Sequence, residues 1–306
     1  MNYLDTDFLE NESFSLPFFN LTDTFEASPD DSGRDILSCL FLLVICVIGL
    51  IGNTLVLCVV FKYAVMKTVT NIYILNMAVM DMLEALVIPF EVTDRLLGHW
   101  PFGSFLCTLM LTVRKNPFTC ACFLTVMSAD CCLSVYCPMV SNTWRKAWVV
   151  KLICATVWVF SVLFCLPVIM YAGVYFEICT IFYPYYVWAL FYDVYSFALG
   201  YFIPLLLIGC CFFSIVIKGT SSARPVGTQS CCSPEGGRKA LVLTLVFLIC
   251  WSPFQIMIIC QYFFSQPPYW LFIFQALATA KICANPIISG LLFSDFKESF
   301  RTILCF

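Results

Sequence analysis

The chain has 306 residues, of which 61% are hydrophobic and 11% charged, against roughly a quarter charged in an ordinary soluble domain. A globule of this size cannot hide so much apolar mass from water, so the composition places the chain in a bilayer. Sixteen Lys and Arg against 19 Asp and Glu give a net charge of −3, which leaves no basic excess for phosphates and excludes nucleic acid as the expected partner.

The first 35 residues carry nine acids and one base, Arg34. They form an acidic arm (1–35) in which Asn11-Glu12-Ser13 and Asn20-Leu21-Thr22 offer glycosylation acceptors at Asn11 and Asn20. The start, Met1-Asn2-Tyr3-Leu4-Asp5, lacks the basic residues of a cleaved signal, so the first span is expected to serve as an uncleaved anchor. A hydrocarbon core about 30 Å thick needs roughly 20 apolar residues per helix. Seven runs of that kind follow, at 36–61, 72–97, 105–135, 149–171, 188–217, 241–264 and 269–293. They predict an all-α, seven-transmembrane-helix bundle over 36–293. A tail over 294–306 closes the chain, and Phe296-Lys297-Glu298-Ser299-Phe300-Arg301 reads there as an amphipathic helix on membrane lipid.

Lys62, Lys67, Arg145, Lys146, Lys151, Lys218, Arg224, Arg238, Lys239, Lys297 and Arg301 all fall on one side, 11 of the 16 bases. By the positive-inside rule that side is cytoplasmic and the N-terminus lies outside. The 20 Cys sit mostly in apolar runs such as Ile208-Gly209-Cys210-Cys211-Phe212, where a thiol acts as a small hydrophobe. No phosphate-binding loop, nucleophile elbow or metal-ligand spacing is present, so neither an enzyme nor a cofactor is expected. A seven-span transporter would need an internal repeat or a converging polar path, and the scattered charges give neither by spacing.

Ionisable and amide groups at bilayer depth are costly unless they face the bundle interior, so Asn53, Asp81, Glu84, Arg114, Lys115, Asp130, Asp193, Lys281 and Asn285 are the functional candidates. Several lie in known strings. Gly52-Asn53, Leu75-Asn76-Met77-Ala78-Val79-Met80-Asp81, Trp158, Pro204, Cys250-Trp251-Ser252-Pro253 and Asn285-Pro286 fall one set to a span, in order. This set resembles the markers of rhodopsin-like G-protein-coupled receptors. Met66-Lys67-Thr68-Val69-Thr70-Asn71-Ile72-Tyr73, His99-Trp100-Pro101-Phe102-Gly103, Pro167-Val168-Ile169-Met170-Tyr171-Ala172-Gly173 and Cys283-Ala284-Asn285-Pro286 are similar to strings of the somatostatin receptors, nearest their type 2 and type 5 members. The resemblance implies an extracellular peptide ligand, a heterotrimeric G protein of the Gi class as partner, a Cys107 to Cys179 disulfide and a palmitoylated Cys305. It also implies a ligand pocket at Val113 or Arg114, Pro117, Trp251, Phe254, Gln255, Ile258 and Thr279. The implied switch residues are Asp81, Asp130, Cys131, Trp251, Pro253, Lys281, Asn285 and Pro286.

Departures from the family pattern cluster in these places. Where the family carries an Asp that pairs with the hormone's Lys, counting forward from Cys107 gives Arg114 and counting back from Asp130 gives Val113. With Lys115 adjacent, the charge suits an acidic ligand group. Pro117 is expected to kink span three, with the shortened stretch absorbed in a local bulge. The family's Asp-Arg-Tyr reads Asp130-Cys131-Cys132, and its Tyr after Asn-Pro is Ser289. The family holds a sodium ion between the span-two Asp and polar groups of spans three and seven. Here those positions read Cys120 and Lys281-Ile282, and the Lys281 ammonium is expected to fill the ion's place and pair with Asp81. An opsin's retinal lysine stands seven residues before the Pro. Lys281 stands five before Pro286, and the difference turns the side chain by about 200°. Two readings of the same fold follow: a peptide receptor, and a non-signalling decoy or decayed relative.

Overall fold

In this computed structural model, residues 29–63, 68–221, 234–261 and 268–304 are described. Span one is α1 (Pro29–Lys62) and span two is α2 (Val69–Leu97). The Thr68 hydroxyl caps the start of α2 by accepting from the Asn71 amide at 3.3 Å. Gly98, at φ 69°, ends it in the left-handed conformation that glycine reaches without strain. Span three consists of α3 (Gly103–Arg114) and α4 (Phe118–Tyr136), and a short α5 (Pro138–Trp144) leads into span four, α6 (Ala147–Phe164) and α7 (Leu166–Tyr171). A hairpin of β1 (Ala172–Tyr175) and β2 (Ile178–Ile181) then pairs antiparallel. Span five is α8 (Tyr186–Phe197), a π-turn at Ala198–Phe202 and α9 (Ile203–Ser221). α10 (Pro234–Gln261), α11 (Pro268–Leu292) and α12 (Ser294–Leu304) complete the chain.

Six of these units are long and apolar enough to cross a membrane. The seventh, α11, continues after a 96° bend into α12. Large apolar side chains such as Leu37, Ile51, Val159, Phe213 and Ile249 are exposed along the spans, a belt that water would not tolerate and that lipid covers. The protein is therefore a multi-pass membrane protein.

With lipid outside, close packing and polar contacts rather than exclusion from water hold the helices together. α1 approaches α11 where glycines allow it. A Cβ on Gly49 would lie 2.5 Å from Ile282 Cγ2, and one on Gly52 would lie 2.7 Å from Pro286 Cγ. That contact brings Asn53 Nδ2 to the Ile282 carbonyl at 3.0 Å. Spans two and four meet where Trp158 Nε1 donates to Asn76 Oδ1 at 2.9 Å.

Span three is interrupted at Pro117, as the sequence predicts. It is one run by composition but two helices in structure, because Pro117 has no N–H to continue the ladder. Asn116 repairs the break: its Oδ1 accepts from the Thr119 amide and hydroxyl at 3.4 and 3.2 Å, and its Nδ2 donates to Ser161 Oγ of α6 at 2.7 Å. The Lys115 carbonyl accepts from Tyr192 OH at 3.1 Å. No bulge absorbs the shortened stretch within span three. The π-turn lies instead in span five, where Pro117 Cγ would be 3.0 Å from a Cβ on Gly200. Phe118, Phe164 and Tyr195 stack beside the break, with centroids 4.8 and 5.0 Å apart, tying spans three, four and five.

Candidate functional site

Charged and amide side chains meet at three levels of the bundle. The first is near the hairpin end. Cys107 of α3 and Cys179 of β2 are joined in a disulfide, their Cα atoms 5.5 Å apart. Below it, Arg114 at the last residue of α3 turns toward α2, where its Nε lies 3.0 Å from Glu91 Oε2. Its Nη2 donates to Thr279 Oγ1 of α11 at 3.1 Å. Arg95 takes the other Glu91 oxygen at 2.7 Å, and Gln275 Nε2 reaches the same oxygen at 3.5 Å. Two guanidiniums thus share one carboxylate, and all of these side chains are largely removed from solvent. The full positive charge expected of Arg114 is consequently offset by a partner inside the protein. Val113, the alternative position, is a buried core residue.

The second level is mid-bundle and nearly dry. Lys281 of α11 lies 3.0 Å from Asp81 Oδ1 and 2.9 Å from Glu84 Oε1, and 3.6 Å from Cys120 Sγ of α4. Asn285 Nδ2 donates to the second Asp81 oxygen at 2.7 Å. Asp81, Glu84 and Lys281 are 0%, 4% and 1% exposed, so every charge relies on these neighbours. Asp81, Glu84 and Cys120 hold ligand atoms within 4.8 Å of one another, the spacing of a cation site. The ammonium reaches all three, so the residues present do not fit an additional metal ion. A cavity beside Asp81 is lined also by Asn53, Asn285, Pro286 and Ser289. Within α10, Trp251 stacks on Phe247 and meets Phe254 edge-on at 5.8 Å.

The third level is the basic end. Asp130 accepts from Arg145 Nε and Nη2 at 3.1 and 2.8 Å, a bidentate pair between α4 and the end of α5. Tyr136 OH donates to the Ser214 carbonyl at 2.6 Å, and Lys218 Nζ to the Val135 carbonyl at 2.5 Å, joining spans three and five. Lys239 of α10 meets Asp295 of α12 at 2.5 Å and Asn71 of α2 at 3.1 Å. Burial alone would push the Asp295 carboxyl up, but donors from Lys239, Asn71 and the Phe296 amide hold it below the usual carboxylate range.

Of the sequence-derived candidates, the structure joins Arg114 with Thr279, and Asp81 with Lys281 and Asn285. Phe254, Gln255 and Ile258 follow Pro253 on the later turns of α10, with Gln255 buried. Pro117 is buried in the span-three break, Cys131 in α4 behind Asp130, and Pro286 against Gly52. Asn11, Asn20 and Cys305 lie outside the described residues. Glu91, Arg95, Gln275 and Arg145 are partners that sequence reasoning misses. A signal for Glu91 exists, since Asp81, Glu84 and Glu91 recur at spacings of three and seven and so share one face of α2.

Comparison with known proteins adds a family to this geometry. The pattern of the 7 transmembrane receptor (rhodopsin family) matches residues 52–288. The chain is 41% identical over 292 residues to somatostatin receptor type 5 of Rattus norvegicus, covering 91% of this chain and 80% of the relative. It is 40% identical over 277 residues to somatostatin receptor type 2 of Mus musculus, covering 86% and 75%. It is 37% identical over 314 residues to somatostatin receptor type 3 of Homo sapiens, covering 96% and 75%.

Proposed function

The chain belongs to the rhodopsin family of seven-transmembrane receptors, in its somatostatin-receptor branch, and from that premise we propose that it binds a peptide at the hairpin end and relays binding to a Gi-class G protein at the basic end. The observation that carries the reading is the cluster of Glu91, Arg95, Arg114, Gln275 and Thr279, which joins spans two, three and seven below the disulfide-anchored hairpin. A ligand that rearranges this cluster acts on three spans at once. Receptors work by binding one arrangement more tightly than another, so no catalytic residue is required.

With Glu91 and the nearby Asp94 offsetting Arg95 and Arg114, Lys115 is left as the surplus positive charge, which suits an acidic group on the ligand and disfavours a cationic one. Lys281 serves as a built-in cation between Asp81 and Glu84, replacing a mobile ion in the switch region. Residues 1–35 form an extracellular arm glycosylated at Asn11 and Asn20, residues 36–293 form the receptor domain in the plasma membrane, and residues 294–306 form a cytoplasmic tail lipidated at Cys305. Displacement of radiolabelled somatostatin-14 tests the ligand preference. Weak or no saturable binding by the wild type agrees with the surplus cation, and high-affinity binding refutes it.

A second reading, a non-signalling member of the same fold, is favoured by the inner end of span three. Cys131 stands where the family has an Arg, and Asp130 is taken by Arg145 instead. Nucleotide exchange on a purified Gi heterotrimer separates the two, because agonist-stimulated exchange excludes the non-signalling form.

A further inference from the structure

Lys239 is 4% exposed, although a lysine at the end of a membrane helix ordinarily extends its ammonium into water. Here the side chain runs inward from α10 and ends between two other helices. Its Nζ lies 2.5 Å from Asp295 Oδ2 and 3.1 Å from Asn71 Oδ1, and 5.4 Å from the ring centres of both Phe293 and Phe296. Asn71, fully buried, donates to the same Asp295 oxygen at 3.0 Å, while the Phe296 amide donates to the other at 3.0 Å. The preceding residue, Arg238, donates through Nη2 to the carbonyl of Leu292, the last residue of α11, whose helix has no further amide to fill it.

Four elements therefore converge on two adjacent side chains: α2 through Asn71, α11 through Leu292, α12 through Asp295 and Phe296, and α10, which supplies both bases. The other side of the basic end is held by a separate set, Asp130 with Arg145 and Lys218 and Tyr136 with the backbones of α4 and α9. Among the described residues these polar ties fall into two sets, one built on α4, α5 and α9 and one in which α10 is bolted to α2, α11 and α12, with Tyr73 of α2 near enough to Asp130 and Arg145 to feel both charges. Each contact of Lys239 is charge-assisted or in contact with an aromatic face, and Asn71 and Asp295 bond each other, so displacing α10 breaks the set together.

We propose that Lys239, Asn71 and Asp295 form a latch that holds the inner end of α10 against α12 and α2 in the resting protein, and that the latch opens before a partner can insert at the basic end. The second clause rests on the receptor reading given above; the first does not. Hydrogen–deuterium exchange on the full-length protein in lipid nanodiscs tests the first. Lys239→Gln and Asp295→Asn should each raise exchange about tenfold, as expected for one lost charge-assisted hydrogen bond. The rise should appear in the first turns of α10 and α12 together, leaving α4 and α9 unchanged. The exchanged pair, Lys239→Asp with Asp295→Lys, should return protection in both segments. Unchanged exchange, a rise confined to the substituted helix, or failure of the exchanged pair to recover with both single variants folded overturns the latch. The second clause is read by basal nucleotide exchange on a Gi heterotrimer, which Lys239→Gln should raise several-fold. If neither wild type nor variant stimulates exchange while the amide pattern holds, the signalling reading fails and the latch stands. If the wild type signals and the variant shows no gain, the latch does not gate the partner.

Discussion

Replacing Lys281 by Met tests whether the ammonium holds the mid-bundle together. The substitution keeps the length and apolar stem of the side chain but leaves Asp81 and Glu84 with ligand atoms within 4.8 Å of each other and no cation between them. At an effective dielectric of about 20, a unit pair at 4 Å is worth about 4 kcal/mol. Removing one partner of a buried pair costs about 3–5 kcal/mol, because the remaining charge has no solvent to turn to. The reference state in a membrane also finds partners, so the lower end of that range applies. A loss of about 3 kcal/mol corresponds to a fall of roughly 5 °C in melting temperature for a chain of this length, followed by a cysteine-reactive dye or light scattering in nanodiscs. Asp81→Asn alone leaves the ammonium paired one-to-one with Glu84 and should cost less, whereas Asp81→Asn with Lys281→Met leaves the buried Glu84 without a cation and should recover only the part of the loss that comes from repulsion between the two carboxylates. A Lys281→Asn variant opens the place between the carboxylates to sodium, so sodium should stabilise this variant and leave the wild type unaffected. Equal sodium responses in wild type and variant, or a Lys281→Met protein as stable as the wild type, refute the idea of a built-in cation.

Glu91→Gln removes the carboxylate shared by Arg95 and Arg114 and should lower the melting temperature. A double-mutant cycle with Arg114→Gln should return a coupling of about 0.5–3 kcal/mol, as for other contacting residues. Asn116→Ala deletes the cap of α4 and the bond to Ser161, costing about 1–2 kcal/mol by the usual scale for lost caps, visible as faster proteolysis and earlier melting. Asp295 is held below the ordinary carboxylate range, so its stabilisation is fully present above the unfolded value, about 3.9, and is lost as pH falls through the lower folded value. Amide protection of α12 should therefore persist to mildly acidic pH and decline only below the ordinary range. Asp295→Asn, with protection already low at neutral pH, should remove that acid-dependent step. The partly exposed carboxylate keeps the effect small.

The seven spans are legible in the sequence because bilayer thickness sets their length, and the basic end because arginine and lysine collect there. The pairing of Lys281 with Asp81 is legible for a different reason: two opposite charges at matching depth have few other places to go. Glu91 is harder to see. Its one-face relation to Asp81 and Glu84 shows in the spacing, but which base it meets depends on the rotation of span three. That rotation depends in turn on the break at Pro117, since the helix stops at Arg114 and aims that side chain across to α2 and α11. Asn116 as a cap, the π-turn facing Pro117, and the hairpin of 172–181 likewise arise from contacts between spans that no single run of sequence encodes. Arg145 is legible as an inner base but not as the partner of Asp130, because that contact needs the short helix α5 to carry it back under span three.

α2 is where the unusual charges are reconciled. Along its length, Asn71 meets Lys239, Asp81 and Glu84 meet Lys281, and Glu91 meets Arg114 and Arg95. Arg114 and Lys281, the two bases that stand where the family has an acid or an amide, each have a carboxylate oxygen within 3.0 Å. Substitutions accumulating without a folding constraint would strand such bases, at several kcal/mol apiece, in a protein whose whole stability is of order 10 kcal/mol. The pairings argue for a chain that still folds to a defined bundle, which separates two ideas the sequence leaves joined. Loss of signalling is compatible with these contacts, since Asp130 and Arg145 hold span three without the Arg that Cys131 replaces. Loss of the fold is not, and a melting transition that is cooperative in the wild type and broadened by Lys281→Met is the observation that distinguishes them.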